Sequence, residues 1–203
     1  MKRFLKWIAV FIFGIAVPSH AALLSFTNIA PTARVINGSF EKGMDPGVSA
    51  NLTAPDATTI RGWTVEEGTV DYIGPRWVAG DGARCLDLTG LSAGTISQTI
   101  RRLRIGRQYR LSFLIAGNPE VGGGTKSLLA SIGSASEVFS FDGTGFNTEQ
   151  MGWSLRTLDF VATGTTLKLS FTSLDDGLYG PALDAVRMER LVTRSRRSVS
   201  AVP

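Results

Sequence analysis

Histidine is almost missing from this chain of 203 residues. The one present, His20, lies in a leader-like start, so nothing beyond residue 21 carries an imidazole. That excludes Ser-His-Asp and Cys-His catalysis, and His-ligated zinc or haem, within a single chain. Cysteine is as scarce: Cys85 stands alone, which rules out an internal disulfide and a thiolate metal cluster. Helical periodicity is nowhere sustained over the roughly 10 to 12 residues a helix needs, and no internal repeat is visible. A real excess of one charge is lacking too, despite a formal net charge of +4. Lys2, Arg3 and Lys6 belong to the leader, and from Arg187 onward five arginines face Glu189 alone, which leaves residues 22–186 at −3. The basic character sits at the two ends, and the body is not expected to bind nucleic acid.

What is present begins with export. Lys2, Arg3 and Lys6 precede the apolar run 7–17, and Pro18 then leads to Ser19 and Ala21, small residues placed as before a cleavage point. A membrane anchor needs about 20 apolar residues, and this run has about half of that. We therefore expect residues 1–21 to be a signal peptide cleaved after Ala21. No cysteine follows to accept lipid, and no later stretch is apolar enough to span a bilayer. The mature protein is expected to be secreted or otherwise extracytoplasmic, in a periplasm or outside the cell, with no membrane span.

From residue 34 to 190, short runs rich in Val, Ile, Leu, Phe and Thr alternate with clusters of Gly, Asn, Asp, Pro and Ser, the rhythm of an all-β protein. Strands are expected at 34–37, 62–66, 70–73, 84–88, 94–100, 108–116, 127–132, 137–141, 153–162, 166–173 and 182–190. Period-two alternation puts Tyr109, Leu111, Phe113 and Ile115 on one face, and Leu167, Leu169 and Phe171 on another. This predicts an antiparallel β-sandwich or jelly roll over residues 22–190. Residues 42–59 and 118–124 read as loops, and 191–203 as a basic disordered tail.

Eight strings occur in order: NGSFE (37–41), IRGWTV (60–65), VDYIG (70–74), LDLTG (86–90), GTISQTI (94–100), YRLSFLIAGN (109–118), MGW (151–153) and GPALDAV (180–186). Together they resemble the choice-of-anchor C family and related plant cell-wall proteins of unknown-function class with galactose-binding-like domains. The resemblance implies a galactose-binding-like β-sandwich, exported and associated with cell-surface or matrix polysaccharide. Unlike the anchored members, this chain stops at Ala201-Val202-Pro203 with no apolar anchor, so free secretion is the expectation.

Glu41 closes the first string and Asp184 sits in the last. First and last strands of a jelly roll commonly lie side by side, so the two carboxylates either share a structural calcium, as similar positions do in many carbohydrate-binding sandwiches, or make ordinary hydrogen bonds at strand ends. Trp77, between Gly74-Pro75-Arg76 and Ala79-Gly80-Asp81-Gly82, reads as a loop ring on which a sugar face could stack, or as a ring packed on a neighbouring loop. Trp63 and Trp153 fall inside strand patterns and read as core. Tyr72, Asp71, Arg76 and Asn118 are the candidate polar contacts beside Trp77, provided their loops converge. Asn118 has the alternative of capping the turn before Pro119.

Adjacent acids at Glu66-Glu67 and Asp175-Asp176 point to opposite faces of a strand and cannot flank one glycosidic bond. The run Gly122-Gly123-Gly124 with Lys126 lacks the ending of a phosphate-binding loop. Arg101, Arg102, Arg104 and Arg107 are either a solvated turn or a contact for acidic polysaccharide. The sequence thus points to a secreted, non-catalytic polysaccharide-binding module at the cell surface or extracellular matrix. A structural or adhesive matrix protein without a sugar pocket, and a polysaccharide-active enzyme, are the alternatives.

Overall fold

The computed structural model describes residues 33–120 and 123–192. The expected signal peptide and the tail from residue 193 lie outside the described residues.

Alternation of apolar and polar side chains produces eleven strands: β1 (Ser49–Thr53), β2 (Thr64–Glu67), β3 (Thr69–Ile73), β4 (Cys85–Asp87), β5 (Thr95–Arg101), β6 (Gln108–Gly117), β7 (Thr125–Ile132), β8 (Ala135–Asp142), β9 (Ser154–Val161), β10 (Thr166–Ser173) and β11 (Pro181–Arg190). They form two antiparallel sheets, ordered β1-β3-β4-β11-β6-β9 and β2-β5-β10-β7-β8. The architecture is an all-β jelly-roll sandwich, as the period-two runs require, with no helix among the described residues. The ten runs expected from 62–66 onward appear as β2 to β11 with ends shifted by at most two residues.

Two expectations near the start of the fold are corrected. Residues 34–37 do not join a ladder: the Gln98 side chain accepts from the Ile36 N–H at 2.7 Å and donates to its carbonyl at 2.8 Å, so the segment docks on the sheet through one amide. Inside the expected loop 42–59, Ser49–Thr53 is a strand. It is an edge strand that pairs β3 in the register Leu52↔Val70 and buries only Leu52, too weak a pattern to read in advance.

The core lies between the sheets. Phe113 and Phe171 are fully buried and meet edge to face at 5.0 Å, Phe139 packs on Phe113 at 5.1 Å, and Trp63 joins Phe171 to Phe40. Each such side chain contributes about 1.5–3 kcal/mol by leaving water. Trp63 is core, as its strand position implied. Because strand neighbours point to opposite faces, Ile73, Cys85 and Asp184 lie on the side of the six-stranded sheet turned away from this core. All three are nevertheless buried. Segment 74–84, between β3 and β4, folds over that face, and at Gly80 it comes so close that a Cβ would stand 2.6 Å from Leu114 and 3.1 Å from the Trp153 ring.

Candidate functional site

Three acids far apart in sequence hold segment 74–84 down. Glu120 takes both ends of the Arg76 guanidinium fork and accepts from Trp77 Nε1 at 3.1 Å. Asp184 Oδ2 accepts from the backbone N–H of Gly80 and of Asp81, each at 2.8 Å, while its Oδ1 accepts from the Ala185 N–H at 2.6 Å. Glu41 Oε1 accepts from the N–H groups of Ala83 and Arg84 at 2.8 and 2.9 Å. Trp153 adds a bond from Nε1 to the Val78 carbonyl at 2.9 Å.

Where this segment meets the ends of β3, β6 and β11, a pocket of about 180 Å³ opens, lined by Asp71, Arg76, Asn118, Glu120, Leu178 and Tyr179 among others. Its polar groups are preset by neighbours. Asp71 Oδ1 accepts from Asn51 Nδ2 at 2.6 Å. Asn118 donates from Nδ2 to Asp87 Oδ2 at 2.6 Å and accepts at Oδ1 from the Glu120 N–H at 2.9 Å. Gly90 in the wall leaves room for these groups, since a Cβ there would stand 2.2 Å from Asn51 Nδ2 and 2.8 Å from Asp71 Oδ1 and would push the two side chains aside. Apolar surface comes from exposed Leu91 and Leu178 and from the half-buried ring of Tyr179.

The electrostatics follow burial. Partial burial raises the Asp71 carboxyl above its ordinary range, against the pull of the Asn51 amide. Arg76 holds Glu120 below the usual range. Beneath the pocket, Asp87 is fully buried, and loss of solvation lifts it to about 7 although the Thr89 N–H and Asn118 stabilise its charged form. Asp71 carries the one carboxylate facing the pocket without a cation locked on both oxygens.

The convergence expected of Asp71, Arg76, Trp77 and Asn118 is therefore present. Two roles within it need correction. Trp77 is only 3% exposed, its ring packed among buried apolar side chains and its N–H taken by Glu120, so it is no open stacking platform. Tyr72 is fully buried on the opposite face from its strand neighbour Asp71, donating to the Phe40 carbonyl and accepting from Arg84 at 2.9 Å. The ring that reaches the pocket surface is Tyr179, which lies in the turn before β11 and is marked in the sequence only by its neighbours Gly177 and Gly180.

Glu41 and Asp184 do come to one segment, but the oxygens placed there receive amide hydrogens, whose partial positive charge repels a cation. Among the described residues, no group of three or more acidic, histidine or cysteine side chains could hold a metal. The contacts these two carboxylates make are hydrogen bonds from backbone amides, the second of the two roles open to them in the sequence.

Residues 33–189 match the family model described as "Protein of unknown function (DUF642)". The chain belongs to the DUF642 family. The match does not name choice-of-anchor C. A relative of this DUF642 chain is halomucin of Haloquadratum walsbyi, 30% identical over 183 residues that make up 88% of the chain and 2% of halomucin. The chain thus spans about 2% of the length of that relative. Among solved structures the DUF642 fold is similar to TmCBM61 in complex with β-1,4-galactotriose, at 17% identity over 76% of this chain and 96% of that one, with a TM-score of 0.46. It is also similar to the CBM22-1 xylan-binding domain of Paenibacillus barcinonensis Xyn10C, at 15% identity over 77% of this chain and 94% of that one, with a TM-score of 0.48.

Proposed function

We propose that this protein is a non-catalytic carbohydrate-binding module that takes a neutral sugar unit of an extracellular polysaccharide into the pocket at Asp71, Arg76 and Asn118. The observation that carries the reading is that pocket's mixture of fixed hydrogen-bonding groups with apolar Leu91, Leu178 and the Tyr179 ring. A pyranose presents hydroxyls around its rim and an apolar C–H face, and needs both kinds of partner. The pocket is smaller than the roughly 300–1,000 Å³ of sites that engulf a drug-sized ligand, which suits one ring with the rest of the chain outside. Arg76 spends its charge on Glu120, and Asp71 offers an acceptor, so hydroxyl donors fit better than a sugar carboxylate.

Binding rather than hydrolysis is favoured by the state of the acids. Glu120 has both oxygens in the Arg76 fork and no free one to act as nucleophile or base, while Asp87 is sealed from solvent. The leader-like start of the chain and its likeness to a segment of halomucin support an extracytoplasmic place of action. Calorimetric titration against a panel of neutral oligosaccharides tests the site. Tyr179→Ala and Asp71→Ala should each weaken binding about tenfold or more without lowering the melting temperature by more than a few degrees. Wild-type affinity in both variants would place binding elsewhere, and release of product from the bound oligosaccharide would make the protein an enzyme.

A further inference from the structure

The end of the sandwich remote from the pocket gathers arginine, bordered by one exposed acid, Glu189, which precedes Arg190 in β11. The pocket lies at the C-terminal end of β6 and the N-terminal end of β11; the other ends of the same two strands meet the β5–β6 turn, about 30 Å away for strands of ten residues. Arg101 ends β5, Arg102, Arg104 and Arg107 follow in the turn, Arg190 ends β11, and Arg34 enters beside β5; all six are exposed. No Asp or Glu occurs in 33–36, 101–108, 161–166 or 190–192. The ion pairs among the described residues use none of these arginines.

The turn that carries them is firmly built. Leu103 is buried at 3% and its N–H donates to the Thr165 carbonyl at 3.1 Å. The Gly106 N–H donates to the Ala162 carbonyl at 2.8 Å, the Ala162 N–H returns a bond to the Arg107 carbonyl at 3.0 Å, and the Arg104 N–H reaches Tyr109 Oη at 2.9 Å. A concavity opens on either side. One, of about 420 Å³, is lined by Arg107, Gln108 and Arg190, and the other, of about 250 Å³, by Arg34, Arg101 and Arg102. A fixed backbone spares a ligand the cost of ordering the loop, and guanidinium forks match carboxylate or sulfate oxygens two at a time.

We infer that this pole is a second binding site, for an acidic polysaccharide bearing uronate or sulfate groups, with a chain long enough to engage both concavities. The inference does not depend on the neutral-sugar pocket. Single-stranded nucleic acid is disfavoured because the aromatic rings nearest the turn, Tyr109 and Phe160, are buried against each other at 5.6 Å and offer no base a stacking surface. A lipid surface is disfavoured because, among the described residues, no tryptophan or tyrosine stands exposed at this end to anchor among headgroups, the apolar side chains exposed there, such as Ile105 and Val161, being aliphatic. What the pole supplies is charge around two clefts flanking a hydrogen-bonded turn, with Gln108 and Thr99 at their edges to meet hydroxyls.

The test uses the full chain in biolayer interferometry against polygalacturonate, dextran sulfate and neutral dextran. Binding to the two acidic polymers, falling steeply with salt, is expected, with none to neutral dextran. Replacing Arg102→Gln, Arg104→Gln, Arg107→Gln and Arg190→Gln together should weaken it about tenfold or more, as should Arg104→Glu alone to a smaller degree, with the melting temperature and any binding of neutral sugar in the pocket unchanged. Replacing Arg194, Arg196 and Arg197 by Gln should cost much less. Failure of the wild type to bind, an unchanged affinity in the fourfold variant, or loss confined to the second set would overturn the assignment. So would equal or tighter binding to phosphatidylglycerol vesicles or to oligothymidylate.

Discussion

Raising the pH from 5 to 8 should weaken this fold, because two carboxylates are sealed inside it. Asp87 and Asp184 are both inaccessible to solvent, and burial lifts each from an ordinary carboxylate value of 3.8 to about 7. Amide hydrogens of Thr89, Gly80, Asp81 and Ala185 pull the other way and lose to desolvation, helped by the charges of Asp71 beside Asp87 and of Asp81 beside Asp184. A folded-state pKa above the unfolded one means that the native state holds the proton more tightly. The resulting stabilisation is complete below about pH 4 and is lost as the pH climbs through about 7. At ~1.36 kcal/mol for each tenfold difference in proton affinity between the folded and unfolded chain, each group removes up to roughly 3 kcal/mol of stability between pH 5 and 8, and the pair about 5. That is a large part of the ~5–15 kcal/mol of a typical domain. Glu66 and Glu120, whose values are depressed by Ser97 and by Arg76, lose their contribution only as the pH falls below the usual carboxylate range, and so do not offset the trend inside this window. Urea unfolding followed by tryptophan fluorescence at pH 5, 6, 7 and 8 measures the slope, and Asp184→Asn should cut it to about half. Stability that stays flat or rises from pH 5 to 8, or a slope indifferent to Asp184→Asn, would refute the argument.

Two further outcomes rest on the segment folded over the six-stranded sheet. Trp77→Ala empties a buried indole site and removes one of the two hydrogen bonds to Glu120 Oε1, the other coming from Arg76, so it should cost about 3–5 kcal/mol in urea unfolding; a change below ~1 kcal/mol would mean that the ring is not packed as described. Calcium and chelator should leave the melting temperature unchanged, while Glu41→Ala lowers stability by about 1–3 kcal/mol in either condition by orphaning the Ala83 and Arg84 amides. A calcium-dependent rise in melting temperature that vanishes in Glu41→Ala would restore the metal.

Strand positions and facing were within reach of the sequence because period-two patterning is local. A residue's face is decided by its parity along the strand, which is why Tyr109, Leu111, Phe113 and Ile115 could be assigned to the core together. The exclusion of imidazole chemistry was a matter of composition alone. Even part of the candidate site was legible: Asn118 directly follows β6, Arg76 lies in the loop after β3 and Asp71 within β3, and the loops that follow strands collect at the poles of a sandwich. The pattern failed where burial was slight or pairing ran through a side chain, as at the edge strand Ser49–Thr53 and at Ile36, held by Gln98 from 62 residues away.

Only the tertiary structure decided what each site residue does. Trp77 and Tyr179 both look like loop aromatics, and nothing within a few residues of either says which one is covered. Covering depends on Glu120, 43 residues beyond Trp77, and on the sheet face beneath. Asp184 and Glu41 likewise read as a pair of acids at strand ends until Gly80 and Ala83 arrive from 104 and 42 residues away in sequence and turn their amide hydrogens toward them. The reason is that a carboxylate takes its role from whichever donors the fold brings within about 3 Å, and local sequence sets only the strand it stands on.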